Sequence, residues 1–176
     1  MQLPLFKKFT SVLAGSLAAS GLALGTLVPA YAQSANAVRD TYGAWRMVCE
    51  VPPGAATEQC SLIQNVVSDQ RAEAGLSVVV LKTADKQVHL LRVLAPLGVL
   101  LPLGIVVSID GEDVGRAYFI RCFEDGCYAE VELDEATIDV LKKGSQATFA
   151  FFQSPEEGIG LPIDLTGFSA GFDALP

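Results

Sequence analysis

Basic residues are scarce in this sequence, and histidine is almost absent. Twelve lysines and arginines stand against 20 acidic residues, which gives a formal net charge of −8, and His89 is the single histidine. Affinity for nucleic acids comes mainly from clustered Lys and Arg, so this composition excludes a nucleic-acid-binding protein. It also disfavours electrostatic attachment to an anionic membrane surface. Without a second histidine, a metal site would need a set of carboxylates or thiolates that the spacing does not suggest.

The chain also lacks internal repeats, low-complexity linkers and any alternation of strand and helix patterns. Its 176 residues are the size of one domain, and 51% of them are hydrophobic. Intrinsic disorder of most of the chain is therefore excluded, and so is a parallel α/β sheet.

Residues 1–32 have the composition of a Sec signal peptide. Lys7 and Lys8 precede an uncharged stretch over residues 9–28, and an A-x-A cleavage site ends at Ala32. Glycine, serine and threonine dilute the stretch, which disfavours an uncleaved membrane anchor, the alternative. We expect cleavage after Ala32, no transmembrane span after signal removal, and a periplasmic or secreted protein.

The sequence after the signal divides into a flexible leader over residues 33–43 and a single β domain over residues 44–176. The leader is small and polar. Because the signal contains two lysines and no acidic residue, its removal would leave 10 basic and 20 acidic side chains among 144 residues. The mature protein would therefore be more acidic than its precursor.

Four cysteines lie in the exported part of the chain, at Cys49, Cys60, Cys122 and Cys127. An even number in an oxidising compartment favours two disulfides, for which three pairings are possible. The local pairing, Cys49 with Cys60 and Cys122 with Cys127, follows if each pair flanks a hairpin. Neither spacing matches the usual zinc patterns or a C-x-x-C redox motif, so we expect no metal and no cofactor.

Alternating apolar and polar residues predict strands along most of the chain. The strand-like runs are 44–50, 60–67, 75–83, 87–95, 105–109, 116–123, 127–133 and 146–153. Two of them, 75–83 and 87–95, carry Val and Leu on both faces, which is typical of strands buried on two sides. A short helix should follow Asp134, and a helical turn should end the chain near Phe168. We predict a mostly β fold with two disulfides: an antiparallel β-sandwich or partly open barrel of about eight strands with one or two short helices.

Residues 167–171 match G-x-S-x-G, the nucleophile motif of serine hydrolases. That motif needs an acid and a histidine later in the chain, whereas the sequence ends five residues after Gly171 and His89 lies far upstream. A periplasmic serine hydrolase using Ser169 and His89 is therefore the disfavoured alternative. We expect no catalytic residues and a protein that is not an enzyme.

Asp110, Glu112 and Asp113 surround a glycine turn. They lack the ligand spacing of an EF-hand loop, so a solvated turn is favoured and weak Ca²⁺ binding is the alternative.

Residues 96–104 contain no polar side chain. Such a segment is either folded into the core or exposed as an apolar patch on which a partner docks. The candidate binding surface that we take from it consists of Leu97, Val99, Leu100, Leu101 and Leu103.

An ordered set of short motifs, each weak alone, runs through the chain from Trp45 to Leu175. The motifs are Trp45-x-x-x-Cys49, Cys60-Ser61-Leu62-x-Gln64, Ala95-Pro96-Leu97-Gly98-Val99, Ile109-Asp110-Gly111, Cys122 with Gly126-Cys127-Tyr128-Ala129, and Gly167-Phe168-Ser169-Ala170. Together they resemble the invasion-associated locus B family of exported α-proteobacterial proteins.

The resemblance implies a non-enzymatic envelope protein, periplasmic or associated with the outer membrane, whose named role is in host-cell invasion. It supplies no catalytic residue. We expect a protein-interaction module that contacts an unknown envelope or host protein, in an oligomeric state that the sequence does not indicate. A structural envelope protein without a dedicated partner is the alternative.

Overall fold

A computed structural model of the chain describes residues 37–71, 73–83, 85 and 87–176. The expected signal peptide, its cleavage site and the start of the leader lie outside the described residues. Those that are described belong to one compact unit.

Ten strands form one antiparallel sheet in the order β1-β2-β3-β4-β5-β8-β7-β6-β9-β10. The strands are β1 (Ala37–Tyr42), β2 (Trp45–Glu50), β3 (Gln59–Val67), β4 (Gly75–Lys82), β5 (His89–Ala95), β6 (Ile105–Ile109), β7 (Glu112–Phe123), β8 (Gly126–Leu133), β9 (Gln146–Ser154) and β10 (Glu157–Asp164). Two short helices, α1 (Glu135–Lys143) and α2 (Phe168–Ala174), and a 3-10 turn (Leu101–Leu103) complete the fold. The mostly β, antiparallel fold class is confirmed.

Two strands were missed by the sequence patterns. β10 contains Gly158, Gly160 and Pro162, three residues that are depleted in strands, so its alternation is weak. β1 covers Ala37–Tyr42, where we had expected a flexible leader. The expectation of a flexible leader is therefore corrected for residues 37–42, which form a strand paired with β2. The register of this pair shifts between Val38 and Asp40.

One hydrophobic core lies between the inward faces of the strands, because alternate residues of each strand point to the same side. The largest fully buried side chains are Trp45, Phe149, Phe151, Phe168, Leu62, Ile105, Ile138, Ile163, Val78, Val80 and Val93. α2 closes the core, with the Phe168 ring edge-on to Trp45 at 5.2 Å between centroids. Each such side chain contributes about 1.5–3 kcal/mol relative to leaving it exposed.

Both disulfides connect directly opposite residues of neighbouring strands. Cys49 pairs with Cys60 across β2 and β3, and Cys122 pairs with Cys127 across β7 and β8. The local pairing expected from two hairpins is therefore confirmed.

α1 begins where the sequence predicts. Asp134 accepts a hydrogen bond from the Thr137 backbone N–H at 2.7 Å, and Lys142 and Lys143 occupy the last turn. The hydrogen bonds from Thr137 hold the pKa of Asp134 below its usual value, because they favour the charged carboxylate.

The sheet stays open because β1 and β10 do not pair. Instead, the side-chain amide of Gln64 in β3 bonds both backbone groups of Asp164 at the end of β10. Its Oε1 accepts from the Asp164 N–H at 2.9 Å and its Nε2 donates to the Asp164 carbonyl at 2.7 Å. Trp45 Nε1 donates to the same carbonyl at 2.9 Å. Gln64 thus takes the place of an adjoining strand for one residue.

Candidate interaction surfaces

The hydrolase motif does not have the geometry of a nucleophile elbow. Ser169 lies inside α2, whereas a hydrolase nucleophile stands on a strained strand-to-helix turn. Ser169 does not have the positive φ of such a strained residue, since Asp110 is the one described non-glycine residue with positive φ. His89 packs against Phe172 at 5.1 Å between ring centroids, and its Nδ1 lies 4.0 Å from Glu135. No hydrogen bond joins Ser169 to His89 among the described residues.

The acidic turn does not gather its side chains around a cation position. Asp110 accepts backbone N–H groups from Ser145 and Gln146 at 3.0 Å, and Asp113 accepts from Gly115 at 2.9 Å. The Asp110 carboxylate therefore ties the β6–β7 turn to the start of β9, and the Asp113 carboxylate bonds within β7.

Only one group in the described part of the chain has metal-like spacing, namely Cys49, Glu58 and Cys60. The two sulfurs are joined in a disulfide and Glu58 is paired with Arg39 at 2.5 Å. The group therefore offers no thiolate to a metal.

Four connections meet at one end of the sheet: the β3–β4 turn, the β5–β6 segment, the β7–β8 turn and the β9–β10 turn. Strand register places them together, since Val67 pairs with Gly75, Ala95 with Cys127 and Phe123 with Gly126. The β5–β6 segment, residues 96–104, is fixed there by a hydrogen bond from the Leu100 N–H to the Phe152 carbonyl at 2.7 Å.

The five residues of the candidate binding surface divide between core and solvent. Leu97 and Leu101 are 54% and 48% exposed, Val99 is buried, and Leu100 and Leu103 are partly buried. Part of the segment is therefore folded into the core and part of it is exposed.

Most of the exposed apolar side chains of the described chain belong to this end. Of nine large hydrophobic side chains that are exposed, six lie at the four connections or in the second half of β7: Val67, Leu97, Leu101, Tyr118, Ile120 and Phe123. We call these six residues the apolar end. Four of them were missed from sequence. The β7 register shifts between Phe119 and Arg121, so Ile120 has no directly opposite residue in β8.

The β7–β8 hairpin holds its aromatic rings in fixed positions. Phe123 lies edge-on to Tyr128 at 5.8 Å between centroids, and the Arg121 guanidinium lies 5.3 Å from the Phe123 centroid. Tyr128 donates to the Asp125 carboxylate at 2.5 Å, and this bond raises the pKa of Tyr128 because it stabilises the neutral phenol. Rigid aromatic and arginine side chains are enriched at the energetic centres of protein interfaces.

The outer face of β2 to β5 and β8 forms a shallow depression of about 500 Å³. Ile63, Val79 and Leu94 line it, and Arg92 crosses it to pair with Glu130 at 2.7 Å. We had expected β4 and β5 to be buried on both faces. Among the described residues no element packs over this face, so its side chains are partly exposed.

A family model described as Invasion associated locus B (IalB) protein matches residues 45–176. The chain belongs to the IalB family. The match covers both disulfides, the apolar end and both helices, so the resemblance expected from the motifs is confirmed.

A solved IalB structure has the same fold. The crystal structure of invasion associated protein b from Bartonella henselae superposes with a TM-score of 0.64 at 24% sequence identity. The alignment covers 76% of this chain and 91% of that one. At this identity the likeness establishes the fold alone. No curated protein matches the chain.

The helices of the described residues are all too short or too polar to cross a membrane.

Proposed function

We propose that this IalB protein is an exported, non-enzymatic interaction module of the bacterial envelope, and that the apolar end is its contact surface. The partner class is an envelope or host protein. The signal-like first 32 residues, with cleavage after Ala32, and the two disulfides support export to the periplasm, the outer membrane or the exterior.

The observation that carries the proposal is the concentration of exposed apolar residues. Six of the nine that are described lie at one end, although the chain as a whole is acidic, with a net charge of −8. Exposed apolar side chains gathered in one region of a soluble protein often mark a site where a partner docks. The aromatic hairpin beside Arg121 adds the side-chain types that contribute most to such contacts.

The arrangement of Ser169 and His89 supports a role without catalysis, because nothing in it activates the hydroxyl. A labelled fluorophosphonate tests this directly. Modification of Ser169 would establish the hydrolase alternative, and unreacted protein is the expected result.

The contact surface is tested by adding charge to it. We expect the double variant Leu97→Asp, Leu101→Asp to keep its thermal transition, because both side chains are exposed, and to lose the partner in a crosslinked pull-down from intact cells. Val140→Asp, which charges an exposed apolar residue of α1, is the matched control and should retain the partner.

Equal recovery of the partner by the double variant and the parent protein would refute the apolar end as contact surface.

Export has its own test: the protein recovered from cells should have the mass of residues 33–176 with two disulfides under non-reducing conditions. A full-length precursor mass would contradict it.

A further inference from the structure

A groove of about 430 Å³ separates β10 from the end of β3 and the turn that follows it. One wall is the edge of β10, from Gly158 to Pro162, and the other is Val66 to Arg71. Neither wall is covered by another strand in the described chain.

The β10 wall presents unpaired backbone groups. Asp164 turns its N–H and carbonyl away from β9, since both are bonded by Gln64, and in an antiparallel strand alternate residues share that direction. Pro162 and Gly160 therefore also point their backbone groups into the groove. Pro162 fits this assignment, because proline is tolerated in a strand only where its nitrogen faces away from the ladder. Outside the β9–β10 pairing, no described residue bonds the Gly160 N–H or carbonyl.

The β3 wall is a second free edge. β2 begins at Trp45 and its register with β3 ends at Arg46 with Ile63, so among the described strands Val66 and Val67 pair with β4 alone. Two strand edges thus border the same groove, and Gln64 bridges them at its closed end.

Glycine makes room on the β10 side. Gly158 and Gly160 present no side chains, and glycine within a strand often marks a place where another backbone approaches closely. A Cβ added at Gly160 would meet only the Thr148 side chain, at 3.2 Å, so packing does not require glycine there.

The open end of the groove is acidic. Asp69 and Arg71 line it, Glu157 is paired with Arg71 at 2.5 Å, and Glu73 lies near the same guanidinium, which also bonds Gln153 at 3.3 Å. The remaining negative charge complements a basic residue on a bound chain.

We propose that this groove binds an extended segment of a partner protein by β-strand addition, with a lysine or arginine of that segment at the open end. The backbone of the segment would take the place that Gln64 takes for Asp164 and would pair with Gly160 and Pro162. The inference rests on the unpaired edges and the acidic open end. The groove shares Val67 with the apolar end, but its test uses Gly160, which lies outside the apolar end, so the two proposals can fail separately.

The test uses the purified protein and a fluorescent peptide of alternating valine and threonine with a lysine at each end. We expect saturable binding by fluorescence anisotropy. Methylation of alternate peptide nitrogens, on the side of the peptide that pairs with β10, should weaken the affinity about tenfold or more, since one lost hydrogen bond costs about that factor. A peptide with glutamate in place of lysine should also bind more weakly.

Gly160→Pro removes the outward N–H while leaving the β9–β10 hydrogen bonds in place. It should weaken binding about tenfold, whereas Gly160→Ala, which keeps the N–H, should bind nearly as the parent does. If Gly160→Pro does not fold, amide exchange in the parent replaces it: the Gly160 N–H should become protected on peptide binding.

Equal binding of the methylated and unmethylated peptides, or no binding by any of them, would overturn the proposal. So would a concentration-dependent dimer that Gly160→Pro abolishes, because the edge would then bind a second copy of this chain.

Discussion

Replacing Gln64 by leucine should destabilise the protein by about 2 kcal/mol, although the side chain keeps nearly the same volume. Gln64 is 8% exposed and is the one buried polar side chain in the described core. The change removes two hydrogen bonds to Asp164, of 2.9 and 2.7 Å, each with a net contribution of about 1 kcal/mol. The Asp164 carbonyl keeps its bond from Trp45, and its N–H can recover water at the strand edge, so the full penalty of an orphaned donor is not expected.

Urea unfolding followed by the fluorescence of Trp45, the single tryptophan, measures the loss. With a slope of 1–3 kcal/mol per molar urea, typical of small proteins, the midpoint should fall by about 1 M. Gln70→Leu, on the exposed β3–β4 turn, is the matched control and should leave the midpoint nearly unchanged. An unchanged midpoint for Gln64→Leu would refute the inference that Gln64 holds β10 against β3.

Three further predictions concern stability. Replacing Cys49 and Cys60 together by serine should cost about 3 kcal/mol in urea unfolding, given a sequence separation of 11, and a midpoint equal to that of the parent would contradict this. Gly167→Ala should destabilise the protein severely, because φ at Gly167 is +87° and the new Cβ would lie 2.2 Å from the Tyr42 carbonyl oxygen. Gly98→Ala, at φ +88° in open space, is the control and should cost about 1 kcal/mol. Equal melting temperatures of the two variants would contradict this prediction. Because the pKa of Asp134 is lowered in the folded protein, its charged carboxylate stabilises the fold fully above the unfolded pKa of about 3.9, and this stabilisation is lost as pH falls through the lower folded value. Asp134→Asn should therefore flatten the fall in melting temperature on acidification. An unaltered acid profile would count against the helix cap.

Local patterns predicted the parts of this fold that local interactions determine. The alternation in β2 to β9, the cap at Asp134 and the hairpin pairing of the cysteines each depend on residues close in sequence. β10 was not predicted because Gly158, Gly160 and Pro162 lower its strand propensity. These residues are tolerated there because β10 is an edge strand.

The features that define the candidate surfaces depend on long-range contacts. Gln64 bonds a residue 100 positions away, which no spacing within β3 indicates. Leu97 and Val99 have the same apolar character in sequence, yet one is exposed and the other buried, because the position of a connection relative to the core is set by the strands around it. The register shift at Ile120 in β7 likewise belongs to the pairing with β8, and no spacing within β7 indicates it.

Site-specific photocrosslinking in intact cells tests the central claim most directly. A photoreactive amino acid would replace Leu97, Leu101 or Phe123 at the apolar end, and Val51 or Val140, which are 60% and 43% exposed elsewhere, in the controls. The account predicts that one discrete protein crosslinks to the three apolar-end positions and to neither control. Crosslinking that is absent at the apolar end, or equal at all five positions, would contradict it.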